Sequence, residues 1–194
     1  MCKFISCDKR YPYKKCSSIP SKNHSYIYSK RNNGPLDLYS LQHNNDILVV
    51  FEAPGIDEWS KGEPVCSNRR GSAGYKFNTE LNNQGKQKSS YDIAEAVRCF
   101  PGTSTKTINK KDQAELKKAT KYCQKYLKDI ILRKNYEKIV CFGELAETMV
   151  SSIIKSLHRQ KNPYYSLSYL KENVKKLVHP MKNKKLSDDI EKNL

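Results

Sequence analysis

The apolar positions fall into a few dense runs separated by long polar stretches. Ile47-Leu48-Val49-Val50-Phe51 is continuous and stops abruptly at Glu52-Ala53-Pro54-Gly55. A run without polar alternation, closed by Pro-Gly, predicts a buried parallel strand with a functional turn at its carboxyl end. Asn82–Ser90 reads as a polar loop, and Tyr91–Val97 as a second, weaker strand stopped by Pro101-Gly102. Another polar loop runs from Thr103 to Lys111. Leu116, Ala119, Cys123, Leu127 and Ile130 then recur at three- and four-residue spacing with lysines opposite, which predicts an amphipathic helix. Ile139–Phe142 predicts a third strand. Gly143 starts a helix through Ile154, with Leu145, Met149 and Ile153 inward. Tyr164–Leu170 is mixed, and Lys176-Leu177-Val178 predicts a short fourth strand ending at His179-Pro180.

Strands alternating with helices predict a parallel α/β sandwich, whose ligands bind beyond the carboxyl ends of the strands. Three such ends carry Glu52, Glu95 and His179. Residues 1–45 show no sustained period and are broken by Pro12, Pro20 and Pro35, so the expectation is one domain over 1–194 with an irregular amino-terminal arm.

Charge narrows the partner. Thirty-six Lys and Arg against 20 Asp and Glu give a net charge of +16 over 194 residues. A polyanion is the partner this implies, and nucleic acid fits better than lipid because no basic amphipathic helix with a Trp/Phe face stands out. No run approaches the ~18 apolar residues of a membrane span, and no charged-then-apolar leader opens the sequence. The expectation is a cytoplasmic monomer. Seven Cys without such a leader argue against a disulfide framework. Cys141 sits in an apolar run and reads as core, whereas Cys2, Cys7, Cys16, Cys66, Cys99 and Cys123 lie in polar surroundings, which makes a metal or cluster site a candidate.

Phe51-Glu52-Ala53-Pro54-Gly55, then Glu58, then Gly62-Glu63-Pro64, resembles the first motif of the uracil-DNA glycosylase superfamily, in its iron–sulfur branch. Val97-Arg98-Cys99-Phe100-Pro101 is similar to that branch's Val-Lys-Cys-Arg-Pro segment, and Cys123–Leu127 to the helix carrying its fourth cluster cysteine. Ile139–Ala146 looks like the following strand–Gly–helix unit, and Val178-His179-Pro180 like the closing His-Pro motif. The ordered set spans Ile47 to Lys182. The chain departs from the branch at three places: its first Gly is Phe51, its base-stacking Phe is Val65, and its base-reading Asn is Glu95. The amino-terminal Cys-x-x-Cys is also absent.

The resemblance implies a three-layer sandwich around a four-stranded parallel sheet, and a monofunctional DNA glycosylase that flips a base and cleaves it with water. It implies a structural [4Fe–4S] cluster on Cys99 and Cys123, with zinc as the alternative. Cys7 and Cys16 are chosen for the other two ligands because Cys2 lies at a terminus, and Cys2 is the alternative to either of them. Glu52 and Glu58 would stabilise the oxocarbenium-like sugar and orient water, and His179 would donate to the departing pyrimidine O2. Ala53, Pro54, Gly55, Val65 and Glu95 would line the base. Arg69, Arg70, Lys182, Lys184 and Lys185 would grip phosphates, and Met181 would wedge into the duplex. Asp57 reads as a charge at a helix amino end or a solvated loop acid, and His24, His43 and His158 as surface residues.

Glu95 points to the substrate. An ionised carboxylate only accepts hydrogen bonds, which suits the cytosine N4 amino group and not uracil O4. Val65 with the small residues Gly71, Ser72, Ala73 and Gly74 would leave room for a 5-substituent. The expectation is a modified cytosine, such as glucosylated hydroxymethylcytosine of phage DNA with an antiviral role. Uracil excision in repair and a non-catalytic nucleic-acid binder are the alternatives.

Overall fold

The computed structural model describes residues 45–98 and 110–194. Four strands, β1 (Ile47–Phe51), β2 (Asp92–Glu95), β3 (Lys138–Phe142) and β4 (Val174–Leu177), form one sheet in the order β2-β1-β3-β4. Every pairing is parallel, with Phe51 level with Glu95 and Phe142, and Phe142 level with Leu177. The connections carry α1 (Ile56–Lys61), α2 (Ala73–Asn83), a 3₁₀ turn (Lys88–Ser90), α3 (Lys110–Arg133), α4 (Glu144–Arg159) and α5 (Leu167–Asn173), and α6 (Leu186–Asn193) follows β4.

The unbroken apolar run of β1 is what a strand covered on both faces requires. Leu48 and Val50 meet Leu127, Ile131, Val150, Ile153 and Tyr169 from α3, α4 and α5. Val49 and Phe51 meet Phe77, Leu81, Leu186 and Ile190 from α2 and α6. This is the expected three-layer α/β sandwich. Phe51, which stands where the related motif has glycine, stacks on Phe142 (centroids 5.0 Å, planes 12° apart) and meets Phe77 edge-on at 5.2 Å.

A tyrosine network closes the amino end of the sheet, away from the strand ends that carry candidate chemistry. Tyr136 Oη donates to Asp92 Oδ2 at 2.8 Å, and Asn45 Nδ2 donates to Asp92 Oδ1 at 3.0 Å. Tyr169 donates to the Tyr136 carbonyl and Tyr165 to that of Ile131, both at 2.8 Å. Burial and the Asp92 carboxylate push the Tyr136 phenol up, so these buried hydroxyls act as donors holding the β2, α3 and β3 ends together.

Several boundaries differ from the sequence expectation. The stretch read as a loop from Asn82 begins inside α2, whose amino end Ser72 caps by accepting from the Tyr75 N–H at 3.1 Å. The second strand is confined to Asp92–Glu95, the Gly143 helix runs on to Arg159, and α3 takes in Lys110 and Lys111 from the second loop. The last strand starts at Val174 and leaves Val178 53% exposed, because on this edge strand only Leu177 is buried. Among the described residues, no helix is long and apolar enough to cross a membrane. The amino-terminal segment expected to be irregular, with Cys2, Cys7, Cys16, His24 and His43, lies outside the described residues, as does Cys99.

Candidate active site

β1 connects to β2 in one direction across the sheet and β3 to β4 in the other. The crevice therefore opens between the carboxyl ends of β1 and β3, the switch point where parallel sheets bind ligands. Glu52 stands there, immediately after β1, and is buried. Its Oε1 accepts the Leu145 N–H at 3.1 Å, at the amino end of α4. Unpaired N–H groups and the helix dipole make that end attractive to an anion. Gly143 caps α4 at φ 103°, and a Cβ there would fall 2.5 Å from Glu52 Cδ and Oε1. Glycine is needed at this position twice over, for its backbone angle and for the close approach.

Glu58, on α1, is also buried, and its Oε1 accepts the Ser67 N–H at 3.1 Å. Cβ atoms on Gly55 and Gly74 would lie 2.5 and 2.7 Å from its two oxygens. Glu58 thus stitches the first-motif loop to the start of α2. Asp57, read as a charge at a helix amino end or a solvated loop acid, lies in the first turn of α1, where it accepts from the Ser67 hydroxyl and pairs with Arg69 Nε at 3.5 Å. The side chain of Arg69 stays mostly exposed, and Arg70 is exposed. Along Gly71–Gly74, the position of a Cβ on Gly71 is open, with nothing within 4 Å among the described residues. Ser72 is the cap of α2, and the space beside Gly74 is filled by the Glu58 carboxylate.

Glu95 ends β2 and is 5% exposed, with Oε2 buried and lacking a hydrogen-bond partner among the described residues. Its register with Phe51 and Phe142 puts it on their face of the sheet. Burial raises its pKa well above the usual carboxylate range, Glu58 and Glu52 add to the rise, and Lys88 opposes it. Glu95 therefore gives up its proton at higher pH than a free glutamate does. A neutral carboxyl offers one donor and one acceptor.

Val65 is buried among Phe51, Phe77 and Phe142 and holds φ at 52°. That angle is a genuine outlier for a β-branched residue. Its carbonyl accepts Asn78 Nδ2 at 2.8 Å and Lys88 Nζ at 3.4 Å, and Lys88 also reaches the Pro64 carbonyl at 2.7 Å. Pro54 is buried, Ala53 half-buried against Val97 and Cys123, and Gly55 exposed at the amino end of α1.

His179 lies two positions beyond β4 and is half-buried. Its Nδ1 accepts the Met181 N–H at 3.4 Å. In the neutral ring the proton is then on Nε2, which becomes the donor. The His179 carbonyl accepts the Lys182 and Asn183 N–H groups at 2.8 and 3.1 Å, which fixes the turn. Val178 and Met181 are exposed on either side (53% and 48%), and Lys182, Lys184 and Lys185 are exposed beside them. An apolar tip with a basic margin results.

Of the candidate cluster ligands, Cys123 is described. It is buried on α3 against Val97, two positions before Cys99 in sequence. Arg98 is buried with its guanidinium 4.8 Å over the Tyr126 ring, which ties this stretch to α3. Sequence reasoning missed Arg98 and Lys88, and read Gly143 only as a helix start. Cys141 is buried in the core as expected, and His158 is exposed on α4. The four strand ends thus assemble Glu52, Glu95, Gly143 and His179 at one edge.

Among known proteins, the family model for the uracil DNA glycosylase superfamily matches residues 39–190. No curated protein matches the chain.

Proposed function

Because the chain belongs to the uracil DNA glycosylase superfamily, we propose that it is a monofunctional DNA glycosylase that flips a non-canonical pyrimidine out of DNA and hydrolyses its N-glycosidic bond. The observation that carries this reading is the buried Glu95 Oε2, without a hydrogen-bond partner among the described residues, at the same sheet edge as Glu52 and His179. A buried polar atom without a partner in the protein is a place for a ligand to supply one.

Each residue has a part. His179 Nε2–H donates to the pyrimidine O2 as the base leaves with negative charge, and Glu52 opposes the positive charge growing on the sugar and orients water. Glu58 holds the first-motif loop. Lys182, Lys184, Lys185, Arg69 and Arg70 bind phosphates, while Met181 fills the gap left by the flipped base.

The substrate follows from Glu95. With a cytosine-type base, the neutral carboxyl donates to N3 and accepts from the N4 amino group. Normal cytosine must be spared, so the target is a cytosine modified at C5, such as glucosylated hydroxymethylcytosine, and a defensive role against phage DNA would follow. The same neutral carboxyl also favours a second reading, uracil, by donating to O4 and accepting from N3–H.

One described cysteine supports a metal group. Cys123 is a buried thiol beside Val97, and Cys99 follows directly from the pinned Arg98. Cys99, Cys123, Cys7 and Cys16 would hold a [4Fe–4S] cluster, with zinc as the alternative, and the group would pin the amino-terminal arm to the core.

The test uses labelled duplexes carrying each candidate base, followed by cleavage of abasic sites. Release by the wild type, with His179→Ala and Glu52→Ala slowed by orders of magnitude at nearly unchanged DNA affinity, is the expected result. DNA binding without release from any duplex would replace the enzyme with a binding protein of the same fold.

A further inference from the structure

Four contacts around the His179 turn converge on Asn183, which is half-buried while Lys182, Lys184 and Lys185 beside it are exposed. Its N–H donates to the His179 carbonyl at 3.1 Å, and its Nδ2 donates to the Val178 carbonyl at 3.4 Å. Nδ2 also donates to Asp189 Oδ2 at 2.8 Å, and Oδ1 accepts the Lys185 N–H at 2.9 Å. These partners fix the orientation of the amide, since only its nitrogen donates and only its oxygen accepts. The Val178 and His179 carbonyls belong to the two peptide planes that flank the His179 Cα. Holding both planes sets the φ and ψ of His179, and with them the direction in which its side chain leaves the backbone.

Asp189 belongs to α6, which is firmly seated. Leu186 and Ile190 are buried with Phe77 and Leu81 of α2, and Gln84 Nε2 donates to the Ser187 carbonyl at 2.7 Å. At the far end Lys86 and Lys138 Nζ donate to the Ile190 and Asn193 carbonyls at 3.1 and 3.2 Å. Val178 and Met181 are exposed, so their own burial does little to hold the turn. We propose that Asn183 is a positioning residue: with Asp189 it latches the His179–Lys185 turn to α6, and so orders the backbone of His179 and Met181 at the carboxyl edge of the sheet before DNA arrives. The proposal rests on the reading of His179 as the donor to the departing base. A helix cap needs only the Oδ1 acceptor. The Nδ2 contacts are what reach the turn and Asp189.

The experiment compares the wild type with Asn183→Ala, Asp189→Ala and the reversed pair Asn183→Asp with Asp189→Asn, which keeps the net charge. Asp189→Ala leaves the Oδ1 cap in place and removes the latch alone. In DNA-free protein, exchange of the Lys182 amide, which donates to the His179 carbonyl at 2.8 Å, should quicken about tenfold in both single variants, and the His179 ring ¹⁵N shifts should move. Single-turnover release from duplexes carrying uracil and glucosylated hydroxymethylcytosine should slow by about 10–10²-fold at saturating enzyme. Duplex affinity of Asn183→Ala should stay within about twofold, because the lysines are kept. The reversed pair should restore exchange and release. Should Asn183→Ala not fold, Asp189→Ala carries the test. Unchanged exchange and ring shifts in every folded variant overturn the latch, and a loosened turn with wild-type release overturns its positioning role. Release that stays slow in the reversed pair overturns the Asn183–Asp189 pairing. A wild type that releases no base defeats the glycosylase reading instead, and the exchange and ring shifts still decide whether the latch holds the turn.

Discussion

The Glu52 carboxylate occupies the space in which a side chain on Gly143 would begin, with Cδ 2.5 Å from an ideal Cβ position. The contact joins the end of β1 to the cap of α4 across the switch point of the sheet. It fixes the acid most directly concerned with the sugar, and it makes the glycine at position 143 part of the site.

Gly143→Ala should therefore damage both stability and chemistry. Strain at φ 103° and the collision with Glu52 should lower stability by about 1–3 kcal/mol. A displaced Glu52 should slow cleavage by about 10²-fold. In a Glu52→Ala background the stability cost should shrink, and a double-mutant cycle by urea unfolding measures the coupling.

Glu95 makes stability pH-dependent with a definite sign. Its pKa is raised on folding, so the folded state binds more protons than the unfolded chain above the ordinary glutamate pKa of about 4.3. Stability is greatest below that pH and falls as pH rises toward the folded pKa. Glu95→Gln cannot ionise. Its advantage over the wild type should be small at acid pH and grow toward alkaline pH in urea titrations. An advantage that is the same at both ends would contradict the neutral-carboxyl account.

Much of the fold was legible because β1 and β3 are apolar at every position that the sheet buries, a pattern only a doubly covered strand explains. The same runs exposed Glu52 as a strand-end residue, and His179 before Pro180 stood out for the same reason. α2 was hidden because its apolar side chains buried in the core are Phe77 and Leu81. β4 was misplaced because only Leu177 is buried along it. Lys88 left no pattern at all, since its acceptors lie 23 to 25 positions away and two of them are backbone carbonyls. The raised pKa of Glu95 was equally invisible: it comes first from burial and then from Glu58 and Glu52, which only the folded chain brings near.

The exposed lysines after His179 should govern affinity and not chemistry. Replacing Lys182, Lys184 and Lys185 by Ala should weaken duplex binding and lower the slope of log K against log salt by roughly 0.9 for each phosphate no longer neutralised. Single-turnover release at saturating enzyme should stay near the wild-type rate.

If Cys123 ligates a cluster, anaerobically purified protein should contain iron and acid-labile sulfide, and Cys123→Ser should lose both together with solubility. Stoichiometric zinc without iron would assign the alternative metal. Full solubility of Cys123→Ser with no metal in the wild type would show a thiol that only packs.

The most direct measurement of the central claim identifies the free base released in single turnovers from duplexes carrying uracil, cytosine, hydroxymethylcytosine or its glucosylated form, by wild type and Glu95→Asn. The account predicts release of a modified cytosine by the wild type, sparing of normal cytosine, and a changed base preference in Glu95→Asn. Release of uracil alone by the wild type would overturn the assigned substrate, and identical base preferences in the two proteins would contradict the role given to Glu95.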